Sequence, residues 1–300
     1  MPSVLHNIPH QILRRLRWTH KRPSPSALAG NYRSAFRGRG MDFDQVIKYN
    51  YGDDLRSIDW NVTARRGEPY RKQYIEEREL TLHIFFEDGA GMFFGSGSRT
   101  RRESALDFIS IMTHLCVQNR DRMGVSHLRA STHTYLKPSR GRSALYATAQ
   151  RVLDSTPDAS PGAVDDAAIN RALRVTLRLL PRHAIFIWLS DFPPRKIPEE
   201  WKLLRQRFVC VGARVDDPWD VFTPQSGILP VLDTATFEAL TLDWRNASVR
   251  SQHEKWRQQR DKIWRELFPE KSNRLILQVE KPTLNQVMEF LTTRARNIAR

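Results

Sequence analysis

Residues 184–190 read AIFIWLS, a run in which only the last residue is polar. An apolar run without alternation is typical of a strand buried on both faces, as in a parallel sheet. FVCVGA at 208–213 has the same character. Other strand-like runs lie at 80–86, 123–129, 132–137 and 274–280, and helical patterns lie at 100–119, 141–154, 164–180, 197–206, 248–268 and 283–298. This alternation predicts an α/β fold, a doubly wound sheet with helices on both faces.

The composition limits the class of protein. The chain has 300 residues, of which 40% are hydrophobic, and this is enough for a large core. No apolar run approaches the ~20 residues that cross a bilayer, and Arg14, Arg15 and Arg17 interrupt the apolar segment that a signal peptide needs. We therefore expect a cytoplasmic protein. Cys116 and Cys210 are expected to be buried free thiols, and their spacing excludes a CxxC metal site.

The formal net charge is +15, and part of it is concentrated at the N-terminus, where residues 1–40 hold eight Lys or Arg and no acid. Residues 1–29 are predicted to be a basic arm ending in the linker KRPSPSALAG. The apolar residues of the arm have helical spacing, so the arm either packs on its own domain or makes peripheral contact with a membrane. A basic surface also suits nucleic acid or an acidic protein.

Residues 85–98 read FFEDGAGMFFGSGS and place acids and glycines at the end of a predicted strand. Glu87 and Asp88 end this strand, and Asp191 follows AIFIWLS. In doubly wound sheets, ligands bind at the carboxyl ends of the strands. A nucleotide site is not expected here, because the helix starts about ten residues after the first glycine and no G-K-[ST] follows.

A second motif occupies the segment before this strand. Its pattern comprises Gly38, Gly40, Phe43, Tyr49, Gly52, Asp53, Asp54, Arg56, Ile58, Asp59, Trp60, Ala64, Arg65 and Glu77. The segment resembles the signature of the domain-of-unknown-function family 58, whose sheet domain resembles the von Willebrand factor A fold. The chain is therefore expected to comprise the arm at 1–29, an irregular β-rich signature segment at 30–79 and a von Willebrand factor A-like domain at 80–300.

The signature has a structural interpretation and an alternative one. Gly52 permits a tight turn that Asp53 or Asp54 can cap. Arg56 and Arg65 can pair with carboxylates such as Asp59 or Glu77, and Trp60 and Ile58 are expected to pack on the sheet. In the alternative interpretation, part of the segment forms a docking surface for a partner.

The resemblance also implies a metal-ion-dependent adhesion site of the form D-x-S-x-S after the first strand. Glu87 stands at the Asp position, Gly89 and Gly91 replace the two serines, and Asp191 remains at the late Asp position. A hard cation such as Mg²⁺ needs several fixed oxygen ligands. We therefore expect a degenerate site at Glu87, Asp88, Gly89, Gly91 and Asp191 that holds no metal, with retained Mg²⁺ as the alternative.

No catalytic set emerges from the sequence, which contains neither H-E-x-x-H nor a G-x-S-x-G nucleophile elbow. We expect a protein that is not an enzyme. The resemblance implies an adaptor or co-chaperone that works with a MoxR-type AAA+ ATPase and a client protein. Its expected partner-binding residues are Gly89, Gly91, Met92 and Asp191. The alternatives are a basic nucleic-acid-binding protein and a metal-dependent hydrolase.

Overall fold

A computed structural model describes residues 25–36, 45–50, 58, 60–73, 79–130, 132–155, 162–221, 227–236 and 238–299. The chain divides into two compact units. The larger unit combines the described residues within 1–35 and 80–300, and the smaller comprises the described residues within 36–79.

Strands and helices make up most of the described residues. The strands are β1 (Gln45–Lys48), β2 (Tyr70–Gln73), β3 (Thr81–Glu87), β4 (Arg122–Leu128), β5 (His133–Ser139), β6 (Ile185–Ser190), β7 (Val209–Asp216), β8 (Ile228–Leu232), β9 (Ala239–Asp243) and β10 (Arg274–Gln278). The helices are α1 (Pro25–Phe36), α2 (Trp60–Arg66), α3 (Arg101–Asn119), α4 (Arg142–Leu153), α5 (Asp166–Leu179), α6 (Trp201–Arg207), α7 (Pro218–Val221), α8 (Ala247–Leu267) and α9 (Thr283–Ala299).

The larger unit is built on a six-stranded sheet with the order β10-β7-β6-β3-β4-β5. All neighbouring strands are parallel except β4 and β5, which are antiparallel. The chain runs from β3 outward to β4 and β5 and then returns to the other side of β3 with β6. Strand order therefore reverses between β3 and β6, where doubly wound sheets form a crevice. The predicted fold class is confirmed.

The central strands are buried on both faces, as their apolar composition predicted. Every residue of β6 is buried. On one face Phe85, Phe186 and Trp188 pack in a cluster with residues of α5, α6 and α8. Cys116 and Cys210 are buried free thiols, as expected, and burial raises the pKa of each to about 12. No helix in the described part of the chain is long and apolar enough to cross a membrane.

Helix α1 corrects the predicted organisation of the N-terminal region. From residue 25 onward the chain is helical where a linker was expected, and residues up to 35 belong to the larger unit. Asn31 Nδ2 donates to Thr292 Oγ1 at 2.9 Å, and Arg294 Nε donates to the carbonyl of Ala35 at 2.8 Å. The side chain of Tyr32 is fully buried. Residues 1–24, which hold most of the predicted arm, lie outside the described residues.

The smaller unit contains the predicted strands together with a helix that was not predicted. Strands β1 and β2 pair in antiparallel fashion, and α2 lies between them in sequence. Thr63 Oγ1 in α2 accepts from Tyr70 N at 3.0 Å. Trp60 in α2 is 70% exposed. Arg65 is also exposed, while Gly52, Asp53, Asp54, Arg56 and Asp59 lie outside the described residues.

Strands β8 and β9 form an antiparallel hairpin that was not predicted. It lies between α7 and α8 in the chain. Three of its apolar side chains, Ile228, Leu232 and Leu240, are exposed. Pro230 within β8 agrees with a hairpin outside the main sheet, since proline has no backbone N–H to donate and is confined to edge strands.

Candidate functional site

A cleft with a volume of about 380 Å³ opens where β3 and β6 end, at the reversal of strand order. Its lining brings together three carboxylates, two guanidinium groups and four aromatic rings. The residues concerned are Glu87, Asp191, Asp220, Arg101, Arg195, Phe94, Trp219, His253 and Trp256. Gly89 and Gly91 also line the cleft, so the structure brings together four of the residues predicted for the degenerate site.

Glu87 is the last residue of β3 and is only 3% exposed. Trp188 Nε1 donates to its Oε2 at 3.1 Å, and Arg195 Nη2 donates to its Oε1 at 2.5 Å. Because a buried carboxylate needs charge compensation, Arg195 serves as the counterion of Glu87. Both carboxylate oxygens are engaged by groups of the protein itself.

The position of Asp191 depends on Gly91. A Cβ atom added to Gly91 would stand 2.1 Å from Asp191 Oδ2, and one added to Gly89 would stand 3.1 Å from Val164 Cγ2. The carboxylate of Asp191 therefore occupies the space that a serine side chain at position 91 would take. Its Oδ1 accepts from Ser190 Oγ at 3.4 Å, and Arg101 Nη1 stands 3.9 Å from Oδ2.

Arg101 occupies the first turn of α3, where a cation opposes the helix dipole. It is compensated by neighbouring acceptors. Its Nη2 donates to Asp220 Oδ1 at 2.7 Å, and its Nη1 donates to the carbonyl of Gly91 at 2.8 Å. The helix begins with a capping box in which Thr100 and Glu103 bond to each other's backbone amides. Arg101 thus links the backbone of the loop at Gly91 to the carboxylate of Asp220, which follows β7.

Arg260 on α8 completes the charge network behind the cleft. It donates to Asp216 Oδ1 at 2.8 Å and to the carbonyl of Asp191 at 2.8 Å, and it pairs with Asp220 at 3.3 Å. Burial lowers the pKa of Arg260, but the carboxylates of Asp216 and Asp220 offset this and raise the pKa overall. Arg260 is only 3% exposed, so it does not belong to the solvated face of its helix.

Two of the predicted site residues do not reach the cleft. Asp88 is 1% exposed; Arg102 Nε donates to its carboxylate at 2.9 Å and His127 Nε2 lies 2.8 Å away. It therefore belongs to a buried ion pair between β3, β4 and α3. Met92 is fully buried in the short 3₁₀ helix after β3. The side chain of Met92, predicted as a partner-binding residue, is therefore not exposed at the surface.

The donor set does not fit the Mg²⁺ ion that the von Willebrand-like resemblance implies. Such an ion takes about six oxygen ligands in octahedral geometry. Here Glu87 is already bonded to Arg195 and Trp188, and the two hydroxyl positions are glycines packed against Asp191 and Val164. Among the described residues, no group of three or more His, Cys, Asp or Glu side chains is placed to hold a metal. Guanidinium groups supply the positive charge at this position.

Some buried polar atoms beside the cleft find no hydrogen-bond partner within the part of the chain that the structure describes. These are Arg195 Nη1 and both ring nitrogens of His253. Burial, followed by the charge of Arg257, lowers the pKa of His253, so its ring is neutral at pH 7. A buried donor or acceptor left unpaired costs about 1–3 kcal/mol. These atoms have almost no exposed surface, so they belong to the wall of the cleft and are not presented to a ligand.

Of the two arginines that line the cleft, only Arg101 lies in a sequence pattern that indicates its role. The run Arg101-Arg102 opens a helix, where acidic residues are normally favoured. Two cations in that position indicate nearby carboxylates. Arg195, by contrast, lies in a loop, and its pairing with Glu87 across 108 residues leaves no local pattern.

Comparison with solved structures gives matches of low similarity. They include BatB from Bacteroides thetaiotaomicron (14% identity, 72% of this chain and 99% of that chain, TM-score 0.42). An aerotolerance-related membrane protein from Bacteroides fragilis shows 9% identity over 73% of this chain and 99% of that chain, with a TM-score of 0.42. The SpRpn10 VWA domain shows 8% identity over 70% of this chain and 94% of that chain, with a TM-score of 0.39.

Sequence relatives are more informative. The uncharacterized protein Rv1480 of Mycobacterium tuberculosis is 28% identical over 222 residues, which cover 74% of this chain and 69% of that protein. The uncharacterized protein Mb1516 of Mycobacterium bovis matches to the same extent. The family model described as "Protein of unknown function DUF58" matches residues 45–262. The chain belongs to this family.

Proposed function

We propose that this chain is a non-catalytic adaptor or co-chaperone of the cytoplasm, and that it works with a MoxR-type AAA+ ATPase on a client protein. The cleft at the ends of β3 and β6 is its docking site and acts without a metal ion. One observation supports the metal-independent form of the proposal: Arg195 neutralises Glu87 at 2.5 Å, at the position where the resemblance places a metal ligand.

The surroundings of the cleft favour a protein partner. Its volume of about 380 Å³ is near the lower end of small-molecule pockets, and it suits one or two side chains. Thr234, from the loop between β8 and β9, lines the cleft. The hairpin exposes Ile228, Leu232 and Leu240, and exposed apolar residues grouped on one element are a feature of interaction sites.

A capture experiment tests the proposal. The full chain is immobilised and the MoxR-type ATPase from the same organism is passed over it, with and without a chelator of divalent metals. Binding is expected to be equal under both conditions. Thr234→Arg, which places a bulky cation at the cleft, is expected to weaken binding at least about tenfold, which corresponds to about 1.4 kcal/mol.

Gln206→Arg provides the matched control, since it adds the same side chain at an exposed position of α6 that does not line the cleft. Loss of binding on chelation would contradict the metal-independent mechanism. Absence of binding under every condition would remove the ATPase as the partner.

The nucleic-acid alternative is not proposed, although the net charge is +15. On α8, Lys262 lies 4.0 Å from Glu266, and Arg265 lies 3.9 Å from Asp261. Such pairs lower the positive potential of the exposed helix face. Salt-sensitive retention of DNA or RNA by the purified chain would revive this alternative.

A further inference from the structure

Asp191 differs from the other carboxylates of the cleft in its charge compensation. Glu87 and Asp220 each have a guanidinium nitrogen within 2.7 Å. The carboxylate of Asp191 has its nearest cation, Arg101, at 3.9 Å, among the residues that the structure describes. The hydrogen bond that its side chain accepts from Ser190 Oγ is long at 3.4 Å. Asp191 is nevertheless only 8% exposed, and it lines the cleft.

The aromatic walls beside Asp191 are also suited to a cation. Arg101 lies 4.8 Å from the centre of the Phe94 ring, and Arg260 lies 5.5 Å from that of Trp256. Trp219 lines the same cleft and contacts no cation in the described part of the chain. An aromatic ring near an incompletely neutralised carboxylate attracts ammonium and guanidinium groups. The ring of Trp219 is fixed by edge contacts with Phe94 and Trp244, so it does not have to be ordered by the ligand.

An anionic ligand is disfavoured by the same geometry. It would approach three carboxylates, while the lining guanidinium groups of Arg101 and Arg195 already bind protein oxygens and are only 7% and 6% exposed. The local requirement is therefore for a cation.

We propose that the cleft captures a lysine or arginine side chain of a partner protein. The cationic head binds the carboxylate of Asp191, and the aliphatic stem lies along Trp219. The partner's cation thus takes the place of the metal ion, and the partner must present a basic residue at this face. This inference rests on the proposed role of the chain in protein interaction and adds the chemistry of recognition.

Blocked amino acids provide the test. The full chain labelled with ¹⁵N is titrated with N-acetyl-arginine methylamide, N-acetyl-lysine methylamide, N-acetyl-norleucine methylamide and N-acetyl-glutamate methylamide. The tryptophan indole N–H signals are followed, with that of Trp219 assigned by substitution. The arginine and lysine compounds are expected to give saturable shifts, and the neutral and acidic compounds are expected to give none.

Asp191→Asn keeps the shape of the side chain and is expected to weaken binding of the basic compounds about tenfold or more. Gly91→Ala retains the charge but displaces the carboxylate, because its Cβ would stand 2.1 Å from Asp191 Oδ2, and it is expected to act in the same direction. Glu199→Gln, which removes an exposed acid that does not line the cleft, is expected to leave binding unchanged. Thermal unfolding checks that each variant is folded.

Three outcomes would overturn the inference: preference for the glutamate compound, unchanged binding by folded Asp191→Asn, or no saturable binding by the natural chain. The ATPase capture experiment is scored separately. Capture of the ATPase without affinity for basic compounds would reject this inference alone. Affinity for basic compounds without capture would reject the ATPase as partner and leave the cation site standing.

Discussion

Replacing Arg195 by methionine tests whether a guanidinium group really neutralises the carboxylate at the end of β3. The side chains of Arg195 and Glu87 are 6% and 3% exposed, and Nη2 stands 2.5 Å from Oε1. Arg195→Met leaves the carboxylate buried with only the hydrogen bond from Trp188 at 3.1 Å. Breaking a buried pair from one side costs about 3–5 kcal/mol, and we expect a loss of stability of this order at pH 7.

The assay is urea unfolding of the full chain, followed by circular dichroism. Glu87→Gln/Arg195→Met is expected to recover most of the lost stability, because no unpaired charge remains. Arg174→Met is the control: Arg174 pairs with Glu200 at 2.8 Å but is 49% exposed. Its loss is expected to be below about 1 kcal/mol.

A loss below about 1 kcal/mol for Arg195→Met would refute the reasoning. So would a double variant no more stable than Arg195→Met, since the cost would then arise from lost packing and not from the stranded charge. Addition of Mg²⁺ is expected to leave the natural chain unchanged in either case.

Three further predictions concern the metal, a helix and the response to pH. Calorimetric titration of the purified chain with Mg²⁺ or Mn²⁺ is expected to give no binding heat, and a saturable heat would contradict the degenerate site. Gly30→Ala on α1 is expected to raise the free energy of unfolding in urea by about 0.5–1 kcal/mol, because alanine has the higher helix propensity. The added Cβ would meet no atom within 4 Å. A loss of stability would argue against the helix. Burial lowers the pKa of His83 from 6.5 to about 3. Below pH 6.5 the unfolded chain therefore binds a proton that the folded chain does not, and the free energy of unfolding falls by up to about 1.4 kcal/mol per pH unit as the pH drops toward 3. His83→Gln is expected to flatten this dependence between pH 6 and 4, and an unchanged slope would assign it to other groups.

Much of the sheet was predictable because its strands carry their own pattern. The apolar runs that predicted β3, β6 and β7 are buried in the structure, and the helix predicted at 100–119 corresponds to α3 at Arg101–Asn119. Helix α1 was missed because proline, serine and glycine near its start are typical of linkers. Its stability instead comes from tertiary contacts such as that of Asn31 with Thr292, 261 residues away.

The candidate site was only partly predictable. The positions of Glu87, Gly91 and Asp191 followed from the ends of two strands, and they meet in one cleft. The partners of the carboxylates did not follow, because Arg195 and Arg260 arrive from distant segments of the chain. An arginine on a helix looks the same in sequence whether it is solvated or, like Arg260, is 3% exposed beside Asp216 and Asp220.

Helix α1 has a consequence for how the chain can be divided experimentally. Residues 25–35 belong with the described residues of 80–300, so the signature unit at 36–79 is an insertion within a host fold and not an N-terminal appendage. A fragment that begins at residue 80 would lose the helix that covers Cys116 with Tyr32 and would expose that part of the host core. Deletion of residues 36–79, with a flexible linker that joins α1 to β3, is expected to leave the larger unit intact.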